Sequence, residues 1–429
     1  MTKTFRAFLK ICLGLVVFIM ECIKAPIFLM THPGIFKNEF IYIFYHWSFG
    51  HEVTELDYIS RLYFPYRVSV IYLPSQGTNP YLPVCFRHSI DTFEYPFSLG
   101  KFAAFVTTVG CGVVRFFLLL ISAFSPKVHV IDRPMIYRTL SIAHGKLSVG
   151  REEKGIVEQD DDYSGYFRLL DAAIGKSPAL PEEFISRCKK AITQAVPHFF
   201  ERPFVLLLLR EKGMGGEFSN AFRSCGSQQN YREAVQYLTE HNYSVVGSGE
   251  TNHEVFRDIP GYFSLSDANL PPGLLNVFLL TQCRLFIGQM SGAYILPSSC
   301  GILCLITDAL SHRLGAAGQQ NIMLYKHLRE RTTGKILSLA EIYKEHKDLA
   351  FGYHFKEKNI EILPNTPEEI LLSVQECLGI LEGNLRFSEE DKRLIEEFRK
   401  LPSEGMHLKF LGNRTSLHIL RKMKAQNLL

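Results

Sequence analysis

The run PFVLLLLR (203–210) constrains this chain more than any other segment, because Phe204 to Leu209 are apolar without interruption and Arg210 closes them. A strand that is apolar at every position, rather than at every second one, must be buried on both faces. That is the condition of an inner strand in a parallel sheet covered by helices. The residues behind it repeat the theme. A helix predicted over 228–240 puts Tyr231, Ala234, Val235 and Leu238 on one face, at the i, i+3, i+4, i+7 spacing of a helix that packs by one side. YSVVG (243–247), a helix over 273–282, RLFIG (284–288), a Ser291-Gly292 turn and GILCLIT (301–307) follow. Short apolar strands alternating with helices predict a doubly wound α/β domain of nucleotide-binding type.

The first half carries the same pattern more weakly. EFIYIFYH (39–46) predicts a strand. A helical stretch follows in which Val53, Leu56, Ile59 and Leu62 recur every third residue, and RVSVIYLP (67–74) and KVHVID (127–132) predict two further strands. Residues 145–185 have few large apolar side chains and hold Asp160-Asp161-Asp162, Pro178 and Pro181, so an extended loop or linker is expected there. Ser338 with Glu341 and Thr366 with Glu369 predict capping boxes, the second with Pro367 at the first helical position. A further helix over 388–400 places Leu394, Ile395 and Phe398 together, and such a terminal helix could return to the first domain. A chain of 429 residues exceeds one ordinary core. The expected organisation is an amphipathic segment over 1–33, an N-terminal domain over 34–195, a C-terminal domain over 196–385, and a helix with a basic tail over 386–429.

The net charge is only +4, but it is placed unevenly. Residues 1–24 hold Lys3, Arg6, Lys10 and Lys24 against Glu21; residues 405–429 hold Lys409, Arg414, Arg421, Lys422 and Lys424 and no acid. The rest of the chain keeps 38 basic and 42 acidic residues of the 47 and 43 in total, so only the ends are basic. Basic ends on a slightly acidic body suit an anionic membrane surface; a nucleic acid would want a basic stripe on a folded face. The apolar run ICLGLVVFIM (11–20) is too short to span a bilayer, which takes roughly 20 residues. It is read as an interfacial helix, with a signal or anchor segment and a packed internal helix as alternatives. The run 102–124 is long enough to span but is broken by Gly110 and Gly112 and carries Arg115 near its middle. A buried or membrane-docking helix is expected there, and a true span is the alternative. The ten cysteines show no CxxC pair and no metal-ligand spacing with histidine, which fits a reducing compartment and, at Cys300 and Cys304, core positions.

Ligands of open parallel sheets bind beyond the carboxyl ends of the strands, and that rule nominates four places. Gly50-His51 follows the first strand and opens a helix. Gly50 allows close backbone approach, His51 is a candidate general base for an acceptor hydroxyl, and Glu55, one turn on, is placed to orient or replace it. Arg210 and Arg223 carry guanidinium groups suited to a diphosphate. Gly247, Ser248 and Gly249, followed by Glu250, are expected to form a turn lining a base or sugar pocket. Gly288, Ser291 and Gly292 offer a hydroxyl and backbone N–H groups to a phosphate at a helix start. The triple-Asp cluster reads as a solvated loop, and Asn242 and Asn413 are ordinary triplets in a cytoplasmic protein. Neither a P-loop nor a GxGxxG fingerprint is present, which argues against ATPase and dehydrogenase chemistry.

FGHEVTELDYISRLY (49–63), PFVLLLLR, QNYREAVQYLTEHNYSVVGSG (229–249), LLNVFLLTQCRLFIGQMSG (274–292), NIMLYKHLRERTTGKILSLAEIY (321–343) and ILPNTPEEILLSVQECL (362–378) stand in an order and spacing that resembles a family of bacterial glycosyltransferases. These have the GT-B architecture, two Rossmann-like doubly wound domains facing a central cleft. The resemblance covers most of 45–380 and is better after 200. It implies sugar transfer from a nucleotide-sugar donor to a surface-polysaccharide, lipopolysaccharide or related glycan acceptor. The donor is expected in the C-terminal domain and the acceptor in the N-terminal one. Arg210, Ser291 and Gly292 would face the leaving diphosphate, His51 or Glu55 the acceptor, and no metal or cofactor is implied. The expected location is the cytoplasmic face of the inner membrane. One position departs from the resemblance: the family tends to carry Arg after the apolar strand at 243–246, where this chain has Gly247. That departure motivates an alternative, a GT-B-like binding or assembly protein that has lost catalysis.

Overall fold

Short runs of β-branched and aromatic residues set the first sheet. The computed structural model describes residues 3–44, 49–72, 79–96, 103–131, 166, 169–170, 172–210, 224–249, 254–265, 268–309, 321–346, 352–401 and 414–429. In it β1 (Phe40–Phe44), β2 (Val68–Tyr72), β3 (Ile90–Glu94) and β4 (His129–Val130) lie parallel in the order β3-β2-β1-β4. Three helices accompany them: α1 (Lys3–Thr31), α2 (Phe49–Leu62) and α3 (Ala103–Phe124). Successive side chains of a strand leave on opposite faces. Ile41, Ile43 and Ile71 therefore share one face, where they form a core with Ala25, Phe28 and Leu29 of α1 and Val113, Val114 and Leu118 of α3. The alternate residue Tyr72 points toward α2, its hydroxyl donating to Glu52 at 2.9 Å.

The second sheet has six strands, all parallel: β5 (Phe204–Leu209), β6 (Ser244–Gly249), β7 (Tyr262–Ser264), β8 (Leu285–Gln289), β9 (Leu303–Ala309) and β10 (Ile322–Tyr325). Their spatial order is β7-β6-β5-β8-β9-β10. Counted along the chain this is 3-2-1-4-5-6, the order of a doubly wound dinucleotide-type sheet, with its switch point between β5 and β8. The crossover helices include α4 (Glu182–Ala195), α5 (Arg232–Glu240), α6 (Pro272–Gln282) and the short α7 (Ile295–Ser299). Beyond the sheet come β11 (His327–Glu330), α8 (Leu339–Glu345), α9 (Gly352–Glu357), β12 (Ile360–Leu363), α10 (Pro367–Leu381), α11 (Glu389–Lys400) and α12 (Leu417–Ala425), with β11 and β12 antiparallel. Both predicted capping boxes are formed, at Ser338/Glu341 and Thr366/Glu369, and Ser388/Asp391 makes a third.

The contacts divide the chain into one unit of residues 1–159 with 174–176 and another of 160–173 with 177–429. The boundary expected at 195 is thereby corrected. α4 packs on α6, so the helix just before β5 belongs to the second unit. The segment 386–429 is no appendage either, because α11 and α12 pack on each other and α12 on α10. Most of the loop expected over 145–185 lies outside the described residues. Within the first unit α1 is not a detached segment, since it buries one side on α3 and the sheet.

The basic tail also differs from expectation. Arg414 is buried and paired with Glu376, whose other oxygen accepts from Ser416 Oγ at 2.7 Å and from Leu417 N–H at 2.8 Å. Arg421 pairs with Asp391 at 2.6 Å, Lys422 with Glu369 at 3.6 Å and Lys424 with Glu397 at 2.7 Å. The described cations of this tail, which read as free in the sequence, are matched by acids of α10 and α11, which sequence separation conceals. Among the described residues no helix is long and apolar enough to cross a membrane.

Candidate functional site

In the second unit the carboxyl ends of β5 and β8 flank the switch point, and residues from several distant segments meet there. β5 ends at Leu209, and the backbone N–H of Arg210 donates to Gln289 Oε1, at the end of β8, at 2.8 Å. Gln289 is fully buried, and its amide nitrogen donates to Tyr231 Oη at 2.9 Å. The Tyr231 hydroxyl lies 2.7 Å from Thr307 Oγ1 and donates to Asp308 Oδ2 at 2.8 Å, both at the end of β9. Asp308 in turn binds Asn365: its N–H donates to Asn365 Oδ1 at 2.6 Å, and Asn365 N–H donates to Asp308 Oδ1 at 3.0 Å. Lys326, also buried, donates to the Ser224 carbonyl at 2.8 Å. Buried polar groups without partners are costly, and this set is mutually satisfied. Burial raises the Asp308 carboxyl above its ordinary range, with the Lys326 charge and the hydrogen bonds pulling the other way. Burial likewise lifts the Tyr231 phenol well above its usual value.

The predicted residues distribute around this core. Arg210 is half-buried and directly follows β5, and its carbonyl accepts from Cys225 N–H at 3.0 Å. Gly288 lies within β8, where a Cβ would stand 2.8 Å from the Leu208 carbonyl oxygen and 2.9 Å from the Phe286 ring. Only glycine allows β5 and β8 to approach this closely at the switch point. Ser291 caps the turn Gly292–Tyr294, which runs into α7, and its hydroxyl accepts from Ala293 N–H at 3.4 Å. Arg210, Gly288, Ser291 and Gly292 thus occupy the ends of the two strands that flank the switch point. Gly247, Ser248 and Gly249 do not form the turn expected of them. β6 continues to Gly249, and the three pair in register with Leu207, Leu208 and Leu209. The ladder carried by β5 extends β6 past the point where its apolar run stops. Arg223 and Glu250 lie outside the described residues.

In the first unit β1 is followed by α2, which holds Gly50, His51 and Glu55. Thr54 Oγ1 donates to the Gly50 carbonyl at 2.8 Å. The backbone of His51 is helical; its side chain lies outside the described residues. Glu55 is fully buried, so it faces the interior and not solvent. Sequence reasoning passed over Glu52, on the first turn of the same helix. It accepts from Tyr72 Oη at 2.9 Å and from Asn79 N–H at 2.9 Å and has no exposed surface. Burial pushes its carboxyl up to about 8, against the opposing pull of the Asn79 and Tyr72 bonds. The Cys85 thiol is pushed up to about 12, by burial first and the Glu52 charge second. Glu52 is therefore protonated at neutral pH, and it ties the start of α2 to the end of β2.

The second unit's buried network was also missed. The available signals were Asp308 ending an otherwise apolar strand and Asn365 directly preceding a helix cap; neither names a partner. Among the described residues no cluster of three or more His, Cys, Asp or Glu is placed to hold a metal ion, and the nine described cysteines are free thiols.

No family model and no curated protein matches this chain. Several solved structures resemble it remotely. A glycosyl transferase family 9 protein from Veillonella parvula DSM 2008 is 11% identical with a TM-score of 0.38, over 63% of this chain and 80% of that one. An ADP-heptose lps heptosyltransferase II from E. coli is 13% identical with a TM-score of 0.35, over 65% and 86%. A UDP-GlcNAc 2-epimerase from Neisseria meningitidis, bound to UDP-GlcNAc, is 13% identical with a TM-score of 0.35, over 80% and 100%.

Proposed function

We propose that this chain is a glycosyltransferase of GT-B type that moves a sugar from a nucleotide-sugar donor to a glycan or glycolipid acceptor at the cytoplasmic face of a membrane. The observation that carries the reading is the switch point between β5 and β8, where Arg210, Gly288, Ser291 and Gly292 collect at the strand ends of a 3-2-1-4-5-6 sheet. That crevice is where open α/β sheets take nucleotides.

In this reading the second unit holds the donor. The Arg210 guanidinium, together with the Ser291 hydroxyl and the N–H groups of the following turn, takes up negative charge on the departing diphosphate. The buried Gln289–Tyr231–Asp308 set fixes the three strand ends and leaves ligand contact to the half-buried Arg210. The first unit supplies the acceptor side. His51, at the start of α2, accepts the proton of the acceptor hydroxyl as oxygen attacks the anomeric carbon and the bond to phosphate breaks. Glu55 acts only through its neighbours, because it is buried. Donor chemistry is assigned to these side chains without a metal.

A thermal-shift screen of the purified protein against nucleotide sugars and free ADP, UDP, GDP and CMP, with chelator present, tests this. A stabilising nucleotide whose effect Arg210→Ala removes supports the assignment, and His51→Ala is expected to slow transfer more than it weakens donor binding. Silence of well-folded protein across the panel would move the assignment to a binding or assembly protein without catalysis.

A further inference from the structure

Two helices of the first unit are largely apolar in sequence, and among the described residues each buries one side and exposes large apolar side chains on the other. Toward the sheet, α1 buries Ala25, Phe28 and Leu29, and α3 buries Val113, Val114 and Leu118, in one core with Ile41, Ile43 and Ile71. On the outward side α1 exposes Leu15, Ile19 and Ile23, at i, i+4 and i+8, and α3 exposes Phe116, Leu120 and Phe124 at the same spacing. The exposure is large, 62% for Ile23 and 84% for Phe124. Because α1 and α3 pack on each other and cover the same sheet face, their outward stripes point the same way. A contiguous apolar surface of this kind marks a site that something else covers.

The charges on the two helices select the occupant. Together they carry Lys3, Arg6, Lys10, Lys24 and Arg115 and a single acid, Glu21. Glu21 is buried and accepts from Tyr95 Oη at 2.6 Å, so it contributes no exposed negative charge. Apolar stripes on helices whose charges in sequence, the buried Glu21 aside, are all basic match a bilayer containing anionic lipid, with the helices lying in the headgroup layer. Among the described residues no helix is long and apolar enough to cross a membrane. The basic C-terminal tail does not share this role, since its described cations are paired within the second unit.

We infer that α1 and α3 form one membrane-docking platform that lies on an anionic bilayer through their outward apolar stripes. This deepens the membrane placement in the proposed function, and it is tested without donor or acceptor, so loss of either conclusion leaves the other standing.

The test is flotation of the full-length protein with vesicles of phosphatidylcholine alone and of phosphatidylcholine mixed with phosphatidylglycerol. The protein is expected to float with the mixed vesicles, far less with the neutral ones, and to be released by carbonate. The double variant I23E/L120E should partition at least roughly a hundredfold less, since two apolar contacts are replaced by charges. Its thermal unfolding should match the parent, because both side chains are exposed. The inference is overturned if the parent fails to float, if the double variant floats equally well, or if carbonate leaves the protein in the bilayer. It is also overturned if the parent is a lipid-independent dimer that I23E/L120E dissociates, which would assign the platform to a second copy of the chain.

Discussion

Glu52→Gln offers a test of the first unit in which the sign and the size follow from one buried carboxyl. Glu52 ionises near pH 8 in the fold, against an ordinary value of 4.5. Between those values the folded state holds a proton that the unfolded chain has released. Stability from Glu52 is therefore fully present below about 4.5 and falls as pH rises toward 8, by about 1.4 kcal/mol per pH unit. The whole window is worth about 4–5 kcal/mol as an upper bound, because relaxation and water entry around a buried carboxylate lessen the penalty. Glutamine keeps the shape and both contacts: its oxygen can accept from Asn79 N–H, and its amide can donate to the Tyr72 hydroxyl, which rotates to accept. The variant should match the parent near pH 5 and be more stable by several kcal/mol at pH 9. Trp47 is the chain's single tryptophan and lies five residues before Glu52 in sequence, so urea unfolding followed by its fluorescence reports on this unit. A stability difference between variant and parent that stays constant from pH 5 to pH 9 would refute the reasoning.

Three further outcomes are expected. Tyr231→Phe removes the donor to Asp308 and the acceptor of Gln289, and should cost roughly 2–4 kcal/mol in urea unfolding. The deficit should shrink toward acid pH, because the raised Asp308 carboxyl is protonated there and no longer needs the bond; a deficit that grows toward acid pH would contradict the network. Gly288→Ala sets a methyl 2.8 Å from the Leu208 carbonyl oxygen and should cost about 1–3 kcal/mol by parting β5 from β8, read as a lowered Tm together with weaker nucleotide binding. Glu376→Gln strands the buried Arg414 cation and should cost roughly 3–5 kcal/mol, and an unchanged Tm would mean that the α10–α12 junction does not depend on that pair.

The sequence by itself determined the strands and most helices. PFVLLLLR and RLFIG can only be covered on both faces, and Ser338/Glu341 and Thr366/Glu369 cap helices by contacts three residues apart. Periodicity and caps are local, so they survive in a one-dimensional reading. It also nominated Arg210, Gly288, Ser291 and Gly292, because strand ends can be located once strands are known. Tertiary structure alone decided what depends on distant partners. β6 runs on through Gly247-Ser248-Gly249 because β5 offers it a ladder. Gln289, Tyr231, Asp308 and Asn365 form one network only after the sheet brings residues up to 77 positions apart into contact. The described cations of the basic tail are paired with acids of α10 and α11, and Glu52 holds its proton because folding removes it from water. Charge and protonation respond to the space around a group, and that space exists only once the chain has folded.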